Sequence, residues 1–330
     1  MSKNTINVYA CGGAGMNIAS SLKAVVKPAQ PGYADINNVY IDTSLSNVNS
    51  NIEKSNMFLI EGEGIDGSGK RRQTNTAAIA PRVKEMLLKH PPAALNIVLH
   101  SNSGGSGAVI GQLLTKALLG AGNQTIVIMI NSADSKKELA NAVATLMGYD
   151  KMAITSGLPV VAICEENDMT TGRSAVDKSC HMAILTLAAI WSGENRELDS
   201  ADLRNFLKYD VVTPHAPALV GLKFFSKTVE LTKDEVVYTA VTLSDGEGST
   251  LLNVPVEYQS VGFIAKDVAD TFNIDFPIHT VTIGGMFNPI IDRMEKLLKE
   301  YDARHKAIVV KSISSNTDLP VDDNDDCLFV

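Results

Sequence analysis

The sequence predicts an α/β fold with a Rossmann-like parallel sheet, a central helix, and a smaller mixed-sheet α+β part with an acidic C-terminal tail. Three observations carry that expectation. Apolar runs alternate with helical patterns through the first half. Glycine-rich loops follow several of those runs. Beyond about Val211 short β-like runs take over.

The runs Ile6–Cys11, Val39–Ile41, Met57–Ile60, Asn96–His100, Thr125–Ile130 and Leu158–Cys164 are rich in Val and Ile and apolar on successive residues. Strands covered on both faces look like that. Helical patterns at Ala77–Leu88, Ala108–Leu119 and Glu138–Met147 separate several of them, the signature of βαβ units. A longer helix, about Thr171 to Trp191, is apolar on nearly every side after Cys180 and belongs at the centre of the molecule. A further helix starts near Asp199. The runs Leu222–Thr228, Val236–Leu243, Val261–Ala265, His279–Ile283 and Ala307–Val310 read as strands, with one strong helix, Asn288 to Arg304, before the last of them. The expected organisation is a nucleotide-type sheet domain over 1–170, the central helix and a loop over 171–210, a C-terminal domain over 211–311, and the tail over 312–330.

Apolar residues make up 45% and charged residues 20% of the 330, ordinary for a soluble globular protein. The net charge of −8 argues against direct nucleic-acid binding, which needs a basic face. The acid is not evenly spread: five Asp fall in the tail, at Asp318, Asp322, Asp323, Asp325 and Asp326. The N-terminus lacks an apolar signal core, and the longest apolar run, around Met182 to Trp191, is too short to cross a bilayer, so no membrane partner is expected. Cys11, Cys164, Cys180 and Cys327 form no close pair, and the His residues show no HxxxH spacing. The expectation is reduced thiols and no protein-built metal site.

Three loops can hold phosphate. Ligands of parallel α/β sheets sit beyond the carboxyl ends of strands, where helix N-termini offer free N–H groups to anions. The first loop is Cys11-Gly12-Gly13-Ala14-Gly15-Met16-Asn17, and the second is Ser101-Asn102-Ser103-Gly104-Gly105-Ser106-Gly107. One glycine turn alone is as readily a packing device; two on one sheet suit a cradle for several phosphate oxygens. The third, Gly64 to Arg71 with Gly67, Ser68, Gly69 and Lys70, has the GxxxxGK spacing of a P-loop. However, Arg71 stands where Ser or Thr would hold magnesium, and the loop follows the third strand, so a P-loop NTPase is rejected. It reads as a third phosphate-facing loop or as a solvated basic one.

Together these residues resemble the tubulin/FtsZ superfamily. Ser101 to Gly107 is similar to the family's GGGTGS/TG signature, with Ser101, Asn102 and Ser103 in place of three Gly, Gly104 in place of Thr, and Gly105-Ser106-Gly107 kept. Gly12, Gly13, Gly15 and Asn17 resemble its first nucleotide loop, GGxGxN, whose Asn contacts guanine. Glu197 to Leu203 looks like the NxDxxDV that follows the central helix: Asp199 and Asp202 match, and Glu197 stands for Asn. The resemblance implies that these two acids reach the nucleotide of the neighbouring subunit and position the attacking water. Read by residue chemistry alone, Asp199 is a helix N-cap and Asp202 an acid of the first turn. Asp177 falls where the family reads the base. A carboxylate accepts from both N1–H and the 2-amino group of guanine, which favours GTP over ATP; alone it is a solvated first-turn acid. Arg173 takes the place of the family's base-stacking aromatic, Asp134 that of its ribose-binding Glu, Asn167 that of its later Asn, and Asp42-Thr43 fills the loop after the second strand.

The resemblance is strongest in style to the phage-encoded tubulins. It implies a filament-forming GTPase that uses GTP/GDP with Mg2+, assembles head to tail with itself, and lies in the cytoplasm of the host bacterium. There it would position phage DNA or its compartment, with adaptor and cargo unknown. It further implies that the acidic tail (Asp322, Asp323, Asp325, Asp326) docks on a basic surface of the next subunit, for which Arg293, Lys296, Lys299 and Arg304 are candidates; a merely solubilising tail is the plain alternative. Two rival functions stay open. An NAD-dependent Rossmann oxidoreductase would use Gly13-Ala14-Gly15 and Asp42, although Ile18 holds the sixth position of its GxGxxG turn. A non-hydrolysing tubulin-like scaffold would explain the altered signature.

Overall fold

The computed structural model describes residues 4–22, 31–61, 72–167, 170–247, 249–271 and 275–314. The third glycine loop, with Gly67, Ser68, Gly69 and Lys70, and the tail acids Asp322, Asp323, Asp325 and Asp326 lie outside them.

The strands are β1 (Thr5–Cys11), β2 (Asp35–Asp42), β3 (Met57–Leu59), β4 (Leu95–Ser101), β5 (Thr125–Ser132), β6 (Val160–Asn167), β7 (Leu219–Phe225), β8 (Val236–Ser244), β9 (Tyr258–Phe263) and β10 (Ile278–Gly284). The helices are α1 (Gly12–Leu22), α2 (Arg72–Ile79), α3 (Val83–Lys89), α4 (Ser106–Gly120), α5 (Lys136–Ser156), α6 (Arg173–Ile190), α7 (Ser200–Leu207), α8 (Tyr209–Val212), α9 (Lys266–Ala269) and α10 (Asn288–Ser314).

All ten strands form one sheet in the order β3-β2-β1-β4-β5-β6-β7-β10-β8-β9. The first seven run parallel; β10 pairs antiparallel with β7 and β8, and β8 pairs parallel with β9. The mixed-sheet part is therefore continuous with the parallel part through the β6–β7 pair. Both faces are covered, as the unbroken apolar runs require. Along β1, Ile6, Val8 and Ala10 join a core shared with α1, α6 and α7, while Tyr9 and Cys11 point into one built with α4 and the α2–α3 segment. A third cluster seats α5 and α10 against β5, β6, β8 and β10.

Two elements differ from expectation. The helix expected over Ala77–Leu88 is broken: a 3-10 turn, Ala80–Arg82, separates α2 from α3. Pro81 is the cause, since it supplies no N–H and its ring crowds the preceding turn. The strand expected at Ala307–Val310 is absent. α10 runs unbroken for 27 residues through that segment. A β-branched run costs a helix only about 0.5 kcal/mol per residue, and no Gly or Pro stands between Pro289 and Ser314 to stop propagation.

The element that positions the site is α6. Its N-terminal end lies by the carboxyl ends of the strands. Its C-terminal end lies by their amino ends, where Asn4 N–H donates to Ser192 C=O at 3.0 Å and Ala34 N–H to Ala188 C=O at 2.8 Å. With 18 residues it spans about 27 Å. Trp191 anchors its far end. It is fully buried, packs on Phe206 at 6.5 Å between ring centroids, and donates its indole N–H to the Gln124 side chain at 2.8 Å. Trp191→Ala is expected to destabilise the fold by about 3–5 kcal/mol in urea unfolding followed by circular dichroism.

Candidate functional site

The strand order reverses at β1, which lies between β2 and β4. A crevice beyond the carboxyl ends at such a point is where doubly wound sheets bind ligands. Here it is a cleft of about 550 Å³, lined among others by Gly12, Gly13, Ala14, Asn17, Asp42, Gly104, Gly105, Ser106, Gly107, Asp134, Asn167 and Asp177. Six separate segments of chain thus converge on it.

The first two loops meet backbone to backbone. A Cβ on Gly12, whose φ is +70°, would lie 2.8 Å from Gly107 Cα; one on Gly107 would lie 2.6 Å from the Cys11 carbonyl oxygen. Only hydrogen fits at either position. Gly15 serves the same packing from below: its Cβ would meet the Leu99 carbonyl oxygen at 2.4 Å, and it is not among the residues that face the cleft. The contact brings the N-termini of α1 and α4 to one place. No side chain caps α4, so its first backbone N–H groups are left for an anion.

The departures at Asn102 and Ser103 have a structural account. Ser103 Oγ donates to the Ser132 carbonyl at 2.7 Å and accepts from Ser132 N–H at 2.8 Å. Asn102 Nδ2 donates to Asn131 Oδ1 at 2.8 Å, and Asn131 Nδ2 to Cys164 Sγ at 3.0 Å. Asn141 Nδ2 and Thr145 Oγ1 donate to the carbonyls of Ser103 and Asn102 at 3.2 and 3.1 Å. These side chains hold the loop to β5, β6 and α5, and Gly104 to Gly107 line the cleft together with Ser101 and Ser103.

Other walls are polar. Asp42 is buried. Its Oδ1 accepts from Thr43 N–H at 2.7 Å and its Oδ2 from Asn47 Nδ2 at 2.9 Å. Burial pushes its carboxyl above the usual range, against the pull of those two bonds. Thr43 Oγ1 lies 2.7 Å from Ser106 Oγ, linking the loop after β2 to the start of α4. At the far end of the cleft α1 contributes Asn17 and Ile18, and α6 contributes Arg173, Val176 and Asp177. Burial raises the Asp177 carboxyl, opposed by electrostatic interaction with His181 and Arg173. Residues not singled out in the sequence also face the cleft: Ser44, Ser46 and Asn47 after β2, and Glu138 in the first turn of α5. The small polar run after Asp42 and the Ser135-to-Glu138 capping-box spacing were the available signals.

Asp199 and Asp202 are elsewhere, beyond the C-terminal end of α6, and do not line the cleft of their own chain. They form a reciprocal cap on α7. Asp199 Oδ1 accepts from the N–H groups of Ala201 and Asp202 at 2.7 and 3.0 Å, and Asp202 Oδ2 accepts from Asp199 N–H at 3.1 Å. Asp202 Oδ1 also accepts from Tyr258 and Ser260 hydroxyls at 2.9 and 2.8 Å. Burial opposes ionisation of Asp202, yet the bonds from Ser260, the Asp199 backbone and Tyr258 outweigh it and hold the carboxyl below its usual range. Glu197 sits at φ +65°, a conformation that Asn tolerates far better.

On α10, Arg293 is ion-paired with Glu166, whereas Lys296, Lys299 and Arg304 are exposed. Among the described residues no three His, Cys, Asp or Glu gather as a metal cluster.

No protein-family model matches the chain. It is 27% identical over 330 residues to the phage tubulin-like protein of Pseudomonas phage PhiPA3, covering 98% of each. Its fold is similar to a protofilament of TubZ from bacteriophage PhiKZ, with a TM-score of 0.78 at 22% identity over 97% of this chain and 95% of that one. It is also similar to the phage tubulin PhuZ solved with GDP, with a TM-score of 0.80 at 21% identity over 92% of both.

Two expectations test this geometry. Gly107→Ala should lower stability by about 1–3 kcal/mol in thermal unfolding, whereas Gly104→Ala, whose Cβ would have no neighbour nearer than 3.8 Å, should leave it nearly unchanged. Glu197→Gly should raise stability by about 0.5–1 kcal/mol, relief of the left-handed strain exceeding the entropy cost of glycine.

Proposed function

Since the chain is a member of the tubulin/FtsZ superfamily, akin to the phage tubulin-like proteins, we propose that it is a filament-forming GTPase whose catalytic site is completed by the next subunit. The observation that carries the proposal is the separation of the two half-sites. The cleft lies at one end of α6 and the acids Asp199 and Asp202 at the other, about 27 Å apart by the helix rise. No rotamer spans that gap. A head-to-tail neighbour brings the acids of one subunit to the cleft of another without moving either.

In this reading the base lies between α1 and α6. Asn17 contacts guanine, Asp177 accepts from N1–H and the 2-amino group, and Arg173 stacks on the ring. Asp134 and Glu138 face the ribose, with Asn167 beside them. The phosphates rest on Gly12, Gly13 and Ala14 and on Gly104 to Gly107, with Asp42 behind, and Gly67, Ser68, Gly69 and Lys70 contribute from outside the described residues. Magnesium fits as the companion of the nucleotide, since Mg2+ commonly binds through substrate phosphates and water. It would supply charge neutralisation at the phosphates. The neighbour's Asp202, kept ionised and locked in direction by its hydrogen bonds, orients and polarises the attacking water. Asp199, whose Oδ1 takes both cap bonds, offers Oδ2. Positioning and charge suffice for phosphoryl transfer, so turnover is slow in single subunits and fast in filaments.

The tail acids dock on the exposed Lys296, Lys299 and Arg304 of the next subunit; Arg293 is already engaged with Glu166. No helix among the described residues is long and apolar enough to cross a membrane. The cytoplasm of the phage-infected bacterium is the proposed location, supported by the phage origin of the relatives.

Complementation tests the shared site. Asp202→Asn should bind GTP and polymerise, yet release phosphate roughly 10²-fold more slowly. Asp177→Ala should bind GTP poorly. Mixing the two should restore phosphate release above that of either alone, because each supplies the half-site the other lacks. Asp202→Asn with wild-type turnover, or a mixture no better than its parts, would sink the shared site.

A further inference from the structure

Reading guanine needs two helices held in register. Asn17 lies on α1 and Asp177 on α6, and both face the same end of the cleft over Ile18 and Val176. The helices pack side by side, and such packing leaves a scatter of about 15–20° in how two helices cross. One polar tie joins them just below the base. His181, 8% exposed, stands one turn beyond Asp177 on α6. Its Nε2 lies 2.9 Å from the carbonyl oxygen of Ile18, the residue after Asn17, and 3.2 Å from Ser21 Oγ. A carbonyl only accepts, so Nε2 carries the proton and donates. The bond therefore connects the residue next to one base-reading side chain to the residue one turn from the other.

We infer that His181 is a positioning residue for base specificity, a clamp that sets the spacing of Asn17 and Asp177 and so lets one carboxylate meet two donors of guanine at once. The inference rests on the guanine-reading role proposed for Asp177. A bidentate contact demands alignment within about 0.5 Å, whereas a single hydrogen bond adapts to a small shift. Loss of the clamp costs more affinity for guanine, which uses both donors, than for a base that offers only one.

Hypoxanthine separates the two, because it keeps N1–H and lacks the 2-amino group. Dissociation constants for GDP and IDP are to be measured on the full chain below its assembly concentration. The wild type should prefer GDP by about tenfold or more, the effect of one hydrogen bond to a charged group. His181→Ala should weaken GDP about tenfold and IDP less than about threefold, collapsing the ratio. His181→Gln, whose Nε2 amide reaches the same carbonyl, should keep the wild-type ratio. Should the alanine variant fail to fold in a thermal melt, His181→Asn, whose amide stops short of Ile18, carries the same expectation. Equal losses for GDP and IDP, an unchanged ratio in the alanine variant, or a glutamine variant no better than alanine would each overturn the clamp. A wild type that does not distinguish GDP from IDP would overturn the reading of Asp177, and the clamp with it.

Discussion

The structure turns on one contact that contains no side chain. Where Gly12 meets Gly107, two backbones approach more closely than any Cβ allows. That approach places the starts of α1 and α4 at the same point, so two helix N-termini, that of α4 without a side-chain cap, face one cleft. Everything else in the site is arranged around it. The loop after β2 is tied in through Thr43 and Ser106, and the altered signature loop is braced from behind through Ser103, Asn102, Asn131 and Asn141. Replacing glycines by Ser and Asn is a different route to a rigid loop. The side chains take the partners that would otherwise be water.

The second organising element is α6. It carries cleft-facing residues at one end and Trp191 at the other, and its length keeps Asp199 and Asp202 away from the cleft of their own chain. The continuous sheet makes that separation rigid, since β7 to β10 extend the same hydrogen-bonded surface that carries the cleft. The acids are held by a cap and by Tyr258 and Ser260 of β9, so their direction is set by the fold before any partner arrives.

Much of this was legible in the sequence because it is local. Buried parallel strands announce themselves as apolar runs, and a glycine loop between strand and helix is visible without knowing what it touches. The spacing of Asp199 and Asp202 gives both a cap and a resemblance, and the structure shows the cap directly. What could not be read depends on contacts between distant segments. Ser103 and Ser132 are 29 positions apart, so nothing local reveals that the hydroxyl serves a neighbouring strand. Ser44, Ser46 and Asn47 look like any polar loop until the strand order puts them beside α1 and α4. The Ala307–Val310 segment was misread because β-branched residues favour strands only where a sheet edge waits for them; here a helix already under way carried them along. Glu197 looked like a lost Asn, and its left-handed backbone shows that the position asks for conformational tolerance.

The length of α6 has a consequence for rate laws. Under the proposed shared site, a subunit that holds its fuel at one end and the igniting carboxylates at the other would not burn that fuel alone. Turnover would then be at least second order in protein. A freshly made, dilute pool would stay charged for as long as encounters are rare, and consumption would begin once the population is dense enough for neighbours to persist. On that proposal the distance along one helix would act as a counter of molecules, converting abundance into the onset of chemistry without any separate regulator.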